Sequence, residues 1–319
     1  MRKLFLFIFL TGSLSLFAQD AYTDYNNYLK NYLSPFPNAI GSSLNNSWNS
    51  TAKTHDVLGF DLSIIFPLTY IPEESTTFGD NNYFVFGDQI DPLNGFVYPI
   101  PSSGSTNTYS IKSFVHGLLQ LGIGLAKNTD LIIRYSPPIN ENLYDFPRVT
   151  TAKHKSGLYG IGIKHDLLQW IPIADKIPID LSLMIGYSRA KLLTTQDSPL
   201  LSSLNIKIED QYIINATTIN ILFSKKIAFF TPLIGFGIDF TSSNYNNNGT
   251  NNSYPIYSIA EGQNIDLNQI PEIELHNQTD LKVNFGARFN LVFMTINANY
   301  NISRYGYKTA TLGLGFSLR

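Results

Sequence analysis

What most constrains this chain is an alternation with period two, in which large apolar side chains and small or polar ones swap places along segments of about ten residues. Near the C-terminus Ala310, Leu312, Leu314, Phe316 and Leu318 alternate with Thr311, Gly313, Gly315 and Ser317. Successive side chains of a strand point to opposite faces, so each such segment presents one wholly apolar face. The pattern recurs over residues 57–68, 114–126, 131–136, 157–165, 179–188, 228–240, 281–289 and 294–300. Residues 204–224 are also strand-like, but the adjacent Ile213 and Ile214 leave their faces unassigned and point to a bulge or break. The count is ten strands. Splitting 204–224, or adding a strand at 83–87, raises it to as many as fourteen.

Two architectures compete for strands of this kind. A soluble sandwich would carry Lys, Glu, Thr and Arg on its wet face, and a typical soluble domain is about 25% charged. Here the polar face is Gly, Ser and Asn, and only 14% of residues are charged. No apolar stretch reaches 18 residues after the N-terminal leader, so no helix spans a bilayer. A closed barrel is the other structure that satisfies its backbone hydrogen bonds in lipid. The expected fold is therefore all-β, an antiparallel transmembrane β-barrel. No repeat of 20–50 residues suggests a propeller or solenoid.

Residues 1–18 read as a secretory signal peptide, with Arg2 and Lys3 before the apolar run from Leu4 to Leu10 and a small residue, Ala18, before Gln19. The barrel follows from residue 53 to 319. Long connections at 70–113, 137–156, 190–203 and 241–280 contrast with short ones at 127–130 and 224–226, as expected of external loops and periplasmic turns. An even strand number puts both termini in the periplasm, the Asn-rich tract 244–252 in an external loop, and residues 166–178, with Trp170, in a periplasmic connection.

Between leader and barrel, residues 19–52 form a helical segment. Tyr25, Tyr28, Leu29, Tyr32 and Leu33 keep helical spacing, with Pro35 and Pro37 expected to end that helix. A second helix is expected over 38–48, from Asn38 to Trp48, with Gly41 allowing close packing. Two placements stay open, a plug inside the lumen and a periplasmic segment packed on a rim.

Several short motifs carry a resemblance: Ala18-Gln19, the Tyr-rich helix, Pro37-Asn38-Ala39-Ile40-Gly41 leading to Asn45-Asn46-Ser47-Trp48, the strand end Gly160-Ile161-Gly162-Ile163-Lys164-His165-Asp166, and Gly313-Leu314-Gly315-Phe316. Together they resemble a family of uncharacterised outer-membrane proteins from Bacteroidota, itself distantly similar to the FadL/toluene-X transporters of hydrophobic compounds. The resemblance implies a plugged outer-membrane barrel, placed in lipid by the barrel-assembly machinery. It leaves function open.

Signals for chemistry are few. With no cysteine, disulfides, thiolate metal sites and a cysteine nucleophile are excluded. The five histidines (His55, His116, His154, His165 and His276) show no metal-ligand spacing. Asp145 and His154 flank one loop, too little for a barrel protease. The pairs Gly122/Gly124 and Gly235/Gly237 lack the context of a phosphate loop and read instead as places where plug or lumen backbone comes close. A net charge of −2 argues against nucleic acid. No cofactor and no enzymatic activity are expected.

An Arg or Lys facing lipid at the midplane costs roughly 2–4 kcal/mol. On that ground, and by strand parity, the expected lumen residues are Asp61, His116, Gln120, Arg134, Lys164, Asp180, Asp239, Lys282 and Arg288. They form a structural network, or a polar lining that selects a solute. The leading expectation is a transporter or channel for small molecules, hydrophobic ones included. The alternative is a non-transporting barrel acting as a surface adhesin or interaction module.

Overall fold

The computed structural model describes residues 30, 33–72, 112–114, 117–143, 151–172, 178–197, 208–247, 256–257, 264–265 and 273–318. In chain order the elements are helix α1 (Pro35–Asn45), β1 (Phe60–Tyr70), β2 (Lys112–Phe114), β3 (Leu118–Leu125), β4 (Thr129–Leu143), β5 (Thr151–Asp166), β6 (Asp180–Asp197), β7 (Ile208–Ser224), β8 (Phe230–Asn247), the short β9 (Ile256–Tyr257) and β10 (Asn264–Ile265), β11 (Ile273–Leu291), β12 (Met294–Ser303) and β13 (Lys308–Leu318). The last strand pairs with the first, Phe60 opposite Leu318 through Tyr70 opposite Lys308, and this closes the sheet. β2 and β3 pair successively with β1 and together make one wall position, so the barrel has ten antiparallel strands. The strand count settles at the lower end of the expected range. β9 and β10 pair only with each other.

The alternation read in the sequence becomes the two faces of the wall. Along β1, Phe60, Leu62, Ile64, Phe66 and Leu68 are exposed, while Asp61, Ser63, Ile65 and Thr69 are buried in the interior. The same parity turns Phe236, Phe285 and Phe316 outward.

Four expectations about connections and register need correction. The connection expected at 137–156 is strand at both ends, because Ile139–Leu143 of β4 pair with residues 152–156 of β5. Pro137 and Pro138 have no N–H to give the ladder, and a register shift between Ser136 and Ile139 absorbs them. Likewise β6 runs on to Asp197, and β8 to Asn247 through the first part of the Asn-rich tract. Finally, β7 pairs without a register shift along both edges, so no bulge separates Ile213 from Ile214. The stretch Tyr212, Ile214 and Ala216 of its inner face is apolar and buried, between Asp210 on one side and Thr218 and Asn220 on the other.

What covers that inner face is α1. The helix expected to end at Pro35 and Pro37 lies mostly outside the described residues, of which Lys30 and Leu33 are helical, with a bend at Ser34. Pro35 begins α1, where a missing N–H costs nothing, and the helix stops at Asn45, three residues before the expected end. Ile40 and Leu44, one turn apart, pack with Leu158, Ala190, Tyr212, Ile214, Ala216, Ile273 and Leu275 in the largest apolar cluster described. Gly41 lets the helix come close to β8, because a Cβ there would overlap the Thr241 side chain. A register shift between Leu275 and Gln278 brings Ile273 and Leu275 onto the same inner face as Lys282.

Candidate functional site

The segment from Ser34 to Asp56 lies inside the barrel. It bonds to β1 through Ser43 and Thr69, to β4 through Arg134, to β5 through Lys164, to β7 through Ser224, to β11 through Lys282 and to β13 through Ser47 and Thr311. Contacts spread around the whole circumference are open only to a segment within the wall.

α1 ends at the middle of this arrangement. The last carbonyls of a helix lack internal partners and carry the negative end of its dipole. Two wall cations meet them. Arg134 donates from Nη1 to the Leu44 carbonyl at 2.9 Å and from Nη2 to the Asn46 carbonyl at 3.1 Å, while Lys282 donates to the Asn45 carbonyl at 2.8 Å. Asn46 turns its own amide back onto the Ser42 carbonyl at 2.7 Å. Lys282 is also paired with Asp239 at 2.8 Å, and Asp239 accepts from the Thr218 hydroxyl at 2.6 Å.

Trp48 sits just past the helix end, 2% exposed. Its indole N–H donates to the Leu44 carbonyl at 3.1 Å, and the Arg134 guanidinium carbon stands 3.7 Å from the ring centroid, a cation–π contact. The wall beneath it is glycine. A Cβ on Gly186, Gly162 or Gly160 would come within 2.7, 2.9 and 3.2 Å of the indole. Arg134 completes its bonding with Gln120, Nε to Oε1 at 2.7 Å.

Further along, the chain is tied down by a second charged cluster. Asp130 accepts the His55 backbone N–H at Oδ1 (2.8 Å), while its Oδ2 faces His55 Nδ1 at 3.0 Å and Lys164 Nζ at 2.9 Å. Lys164 donates in addition to the Lys53 carbonyl at 3.0 Å. Thr51 and the Ala52 N–H bond Ser224, which donates to Asp180 at 3.2 Å. On the opposite side Arg288 pairs with Asp61 and donates to the Ser50 hydroxyl at 2.7 Å. Backbone close approach is real at Gly124, where a Cβ would overlap the Asp56 carbonyl. Gly235 and Gly237 instead make room for Leu222 and Asn220 of the neighbouring strand.

Of the residues named from the sequence, Asp61, Gln120, Arg134, Lys164, Asp180, Asp239, Lys282 and Arg288 face the interior and bond there. Asn38 lies on α1, half-buried, and Trp48 is at the centre of the site. His116, Tyr25, Tyr28 and Tyr32 fall outside the described residues. Sequence reasoning missed Asp130, read as part of a turn, although it shares the inward parity of Arg134 four residues on. It also missed His55, which precedes the first strand and has no periodic signal. Among the described residues there is no group of three or more His, Asp or Glu able to hold a metal ion.

Over residues 1–318 the sequence matches a family of unknown function (DUF6588), and the chain belongs to that family. No curated protein matches it. Among solved structures it is similar to the translocator domain of the autotransporter NalP from Neisseria meningitidis, with 11% identity, 94% of this chain and 98% of that one covered, and a TM-score of 0.34. It is similar also to the outer membrane protease OmpT from Escherichia coli (11% identity, 86% and 100% covered, TM-score 0.40) and to the toluene transporter TodX from Pseudomonas putida (6%, 82% and 88%, 0.22). Likeness at this level is one of barrel architecture.

Proposed function

We propose that this member of the family is an outer-membrane β-barrel that passes small hydrophobic molecules, with residues 34–56 acting as a plug that shifts to let them through. The lipid setting is supported by the exposed apolar face that the strands present around the wall, together with the leader expected at 1–18. The observation that carries the transport reading is the apolar inner patch of Leu158, Ala190, Tyr212, Ile214, Ala216, Ile273 and Leu275. The lumen of a water-filled barrel is polar. This one offers an apolar track on one side, covered by a helix whose C-terminal end the wall grips through hydrogen bonds that water can replace. The reading assigns the barrel no catalysis and no cofactor, and because the segment fills the interior it favours a gated carrier over an open pore.

A disulfide lock tests it cleanly, since the chain has no cysteine of its own. Ser47 and Thr311 share a hydrogen bond across plug and wall, so a Ser47→Cys/Thr311→Cys pair joins them when oxidised. In intact cells expressing this variant, uptake of the hydrophobic dye N-phenylnaphthylamine across the outer membrane is expected to stop on oxidation and return on reduction. Equal uptake in both states, or no more than in cells lacking the protein, would overturn the reading in favour of a surface interaction module.

A further inference from the structure

Four wall cations described in the interior hold the segment: Arg134, Lys164, Lys282 and Arg288. Three of them have carboxylates, namely Asp130 for Lys164, Asp239 for Lys282 and Asp61 for Arg288. Arg134, 1% exposed, has no carboxylate among the described residues. Its partners are the Gln120 amide oxygen, two plug carbonyls and the face of Trp48. A buried guanidinium without a counter-charge is costly and is normally avoided. It is more costly still once the plug shifts, because Leu44, Asn46 and Trp48 all belong to the plug and leave together.

What the plug presents to Arg134 has a recognisable chemistry. Two oxygen acceptors sit on the two terminal nitrogens, one on each, which is the fork that a carboxylate engages. A flat bicyclic ring lies under the guanidinium, in a place from which Gly160, Gly162 and Gly186 have removed every Cβ. The ring slot and the fork converge on one side chain, as they do in sites that orient a small ligand.

We propose that Arg134, Gln120 and the Gly160/Gly162/Gly186 slot form a binding site for a planar aromatic carboxylate, held shut by Trp48 and the carbonyls of Leu44 and Asn46. Trp48 is then an internal competitor. A ligand of this class supplies the missing anion and refills the slot as the plug withdraws. This rests on the plug reading above and names the kind of molecule the site selects.

The chain has two tryptophans, Trp48 buried in the slot and Trp170, 70% exposed in the connection between β5 and β6. The full-length barrel labelled with 5-fluorotryptophan therefore gives two ¹⁹F resonances, one a reporter and one an internal reference. Indole-3-carboxylate is expected to move the Trp48 line saturably towards the solvent-exposed position and leave the Trp170 line in place. Indole, which lacks the carboxylate, and cyclohexanecarboxylate, which lacks the flat ring, should each require at least about tenfold higher concentration. With its competitor removed, Trp48→Ala should bind indole-3-carboxylate at least about tenfold more tightly than wild type by calorimetry.

An unmoved Trp48 line in the wild-type protein, at concentrations about a hundredfold above those that saturate Trp48→Ala, would show that Trp48 is fixed core and overturn the proposal. So would equal responses to all three probes. The wild-type measurement needs no variant to fold. The transport reading fails separately: dye uptake that ignores the disulfide lock sinks the carrier and leaves the binding site standing, while lockable uptake with an unmoved Trp48 line does the reverse.

Discussion

The two halves of the interior segment are held by different physics. The helical half, α1, lays Ile40 and Leu44 against an apolar inner wall supplied by β5, β6, β7 and β11. The extended half, residues 46–56, touches the wall mainly through cations, carboxylates and hydroxyls, with Trp48 and Ala52 adding a smaller apolar cluster beside Ile132, Met184, Leu222 and Leu233. Apolar contact stabilises by area and tolerates small slips, whereas a buried ion pair holds one geometry and is penalised heavily when half of it is lost. On the transport reading proposed above, a plug that must sit in one place and still be released combines the two: the helix provides a greased surface, and the charged half sets the position.

The sharpest way to break this contrast is at the charged end. Asp239→Asn leaves the Lys282 ammonium buried without its anion, and should cost about 3–5 kcal/mol in urea unfolding of the barrel refolded into lipid vesicles. Converting both partners, as Asp239→Asn with Lys282→Met, should recover much of that loss. No recovery would mean that Lys282 matters for its grip on the Asn45 carbonyl more than for its charge balance.

The apolar half should lose somewhat less. Leu44→Ala opens a cavity in the cluster around Ile214 and is expected to cost about 3 kcal/mol by the same measurement. If it matches or exceeds Asp239→Asn, the helix positions the plug as strongly as the charges do.

Gly41→Ala tests how tightly α1 fits. Helix propensity alone favours alanine by ~1 kcal/mol, but the added Cβ overlaps the Thr241 side chain, and overpacking of this kind costs about 1–3 kcal/mol. The net sign should be destabilising in thermal melts and should reverse when Thr241→Ala is added.

The smallest effect is expected where hydroxyls meet. Ser43, Thr69 and Thr309 form a buried chain of hydrogen bonds, with Thr69 to Thr309 at 2.8 Å. Thr69→Val should cost about 1 kcal/mol, and a much larger loss would move this ladder into the same class as the ion pairs.

How far these arrangements could be read in advance depended on contrast between faces. On β1, and over residues 234–240 of β8, 294–302 of β12 and 310–318 of β13, every second residue is apolar, and their assignment follows residue by residue. On β7 the contrast vanishes, because Tyr212, Ile214 and Ala216 turn inward to meet a helix more than 160 residues earlier in the chain. The upper parts of β4 and β5 looked like loop because Asn140, Asn142, Lys153 and Lys155 give no apolar face to follow. Arg134 was legible as an interior residue by parity and by the cost of a lipid-facing charge. Its partners were not: nothing near it in sequence announces Trp48 or the free carbonyls at the end of α1.

By itself the sequence determined which face of each well-patterned strand is apolar, since side-chain direction in a strand is a local matter of parity. Tertiary structure decided which interior groups meet. His55 reaches Asp130 across 75 positions and Asp61 reaches Arg288 across 227, separations that only barrel closure and the entry of the N-terminal segment can bridge. Parity acts between neighbours in the chain, and partnership between neighbours in space.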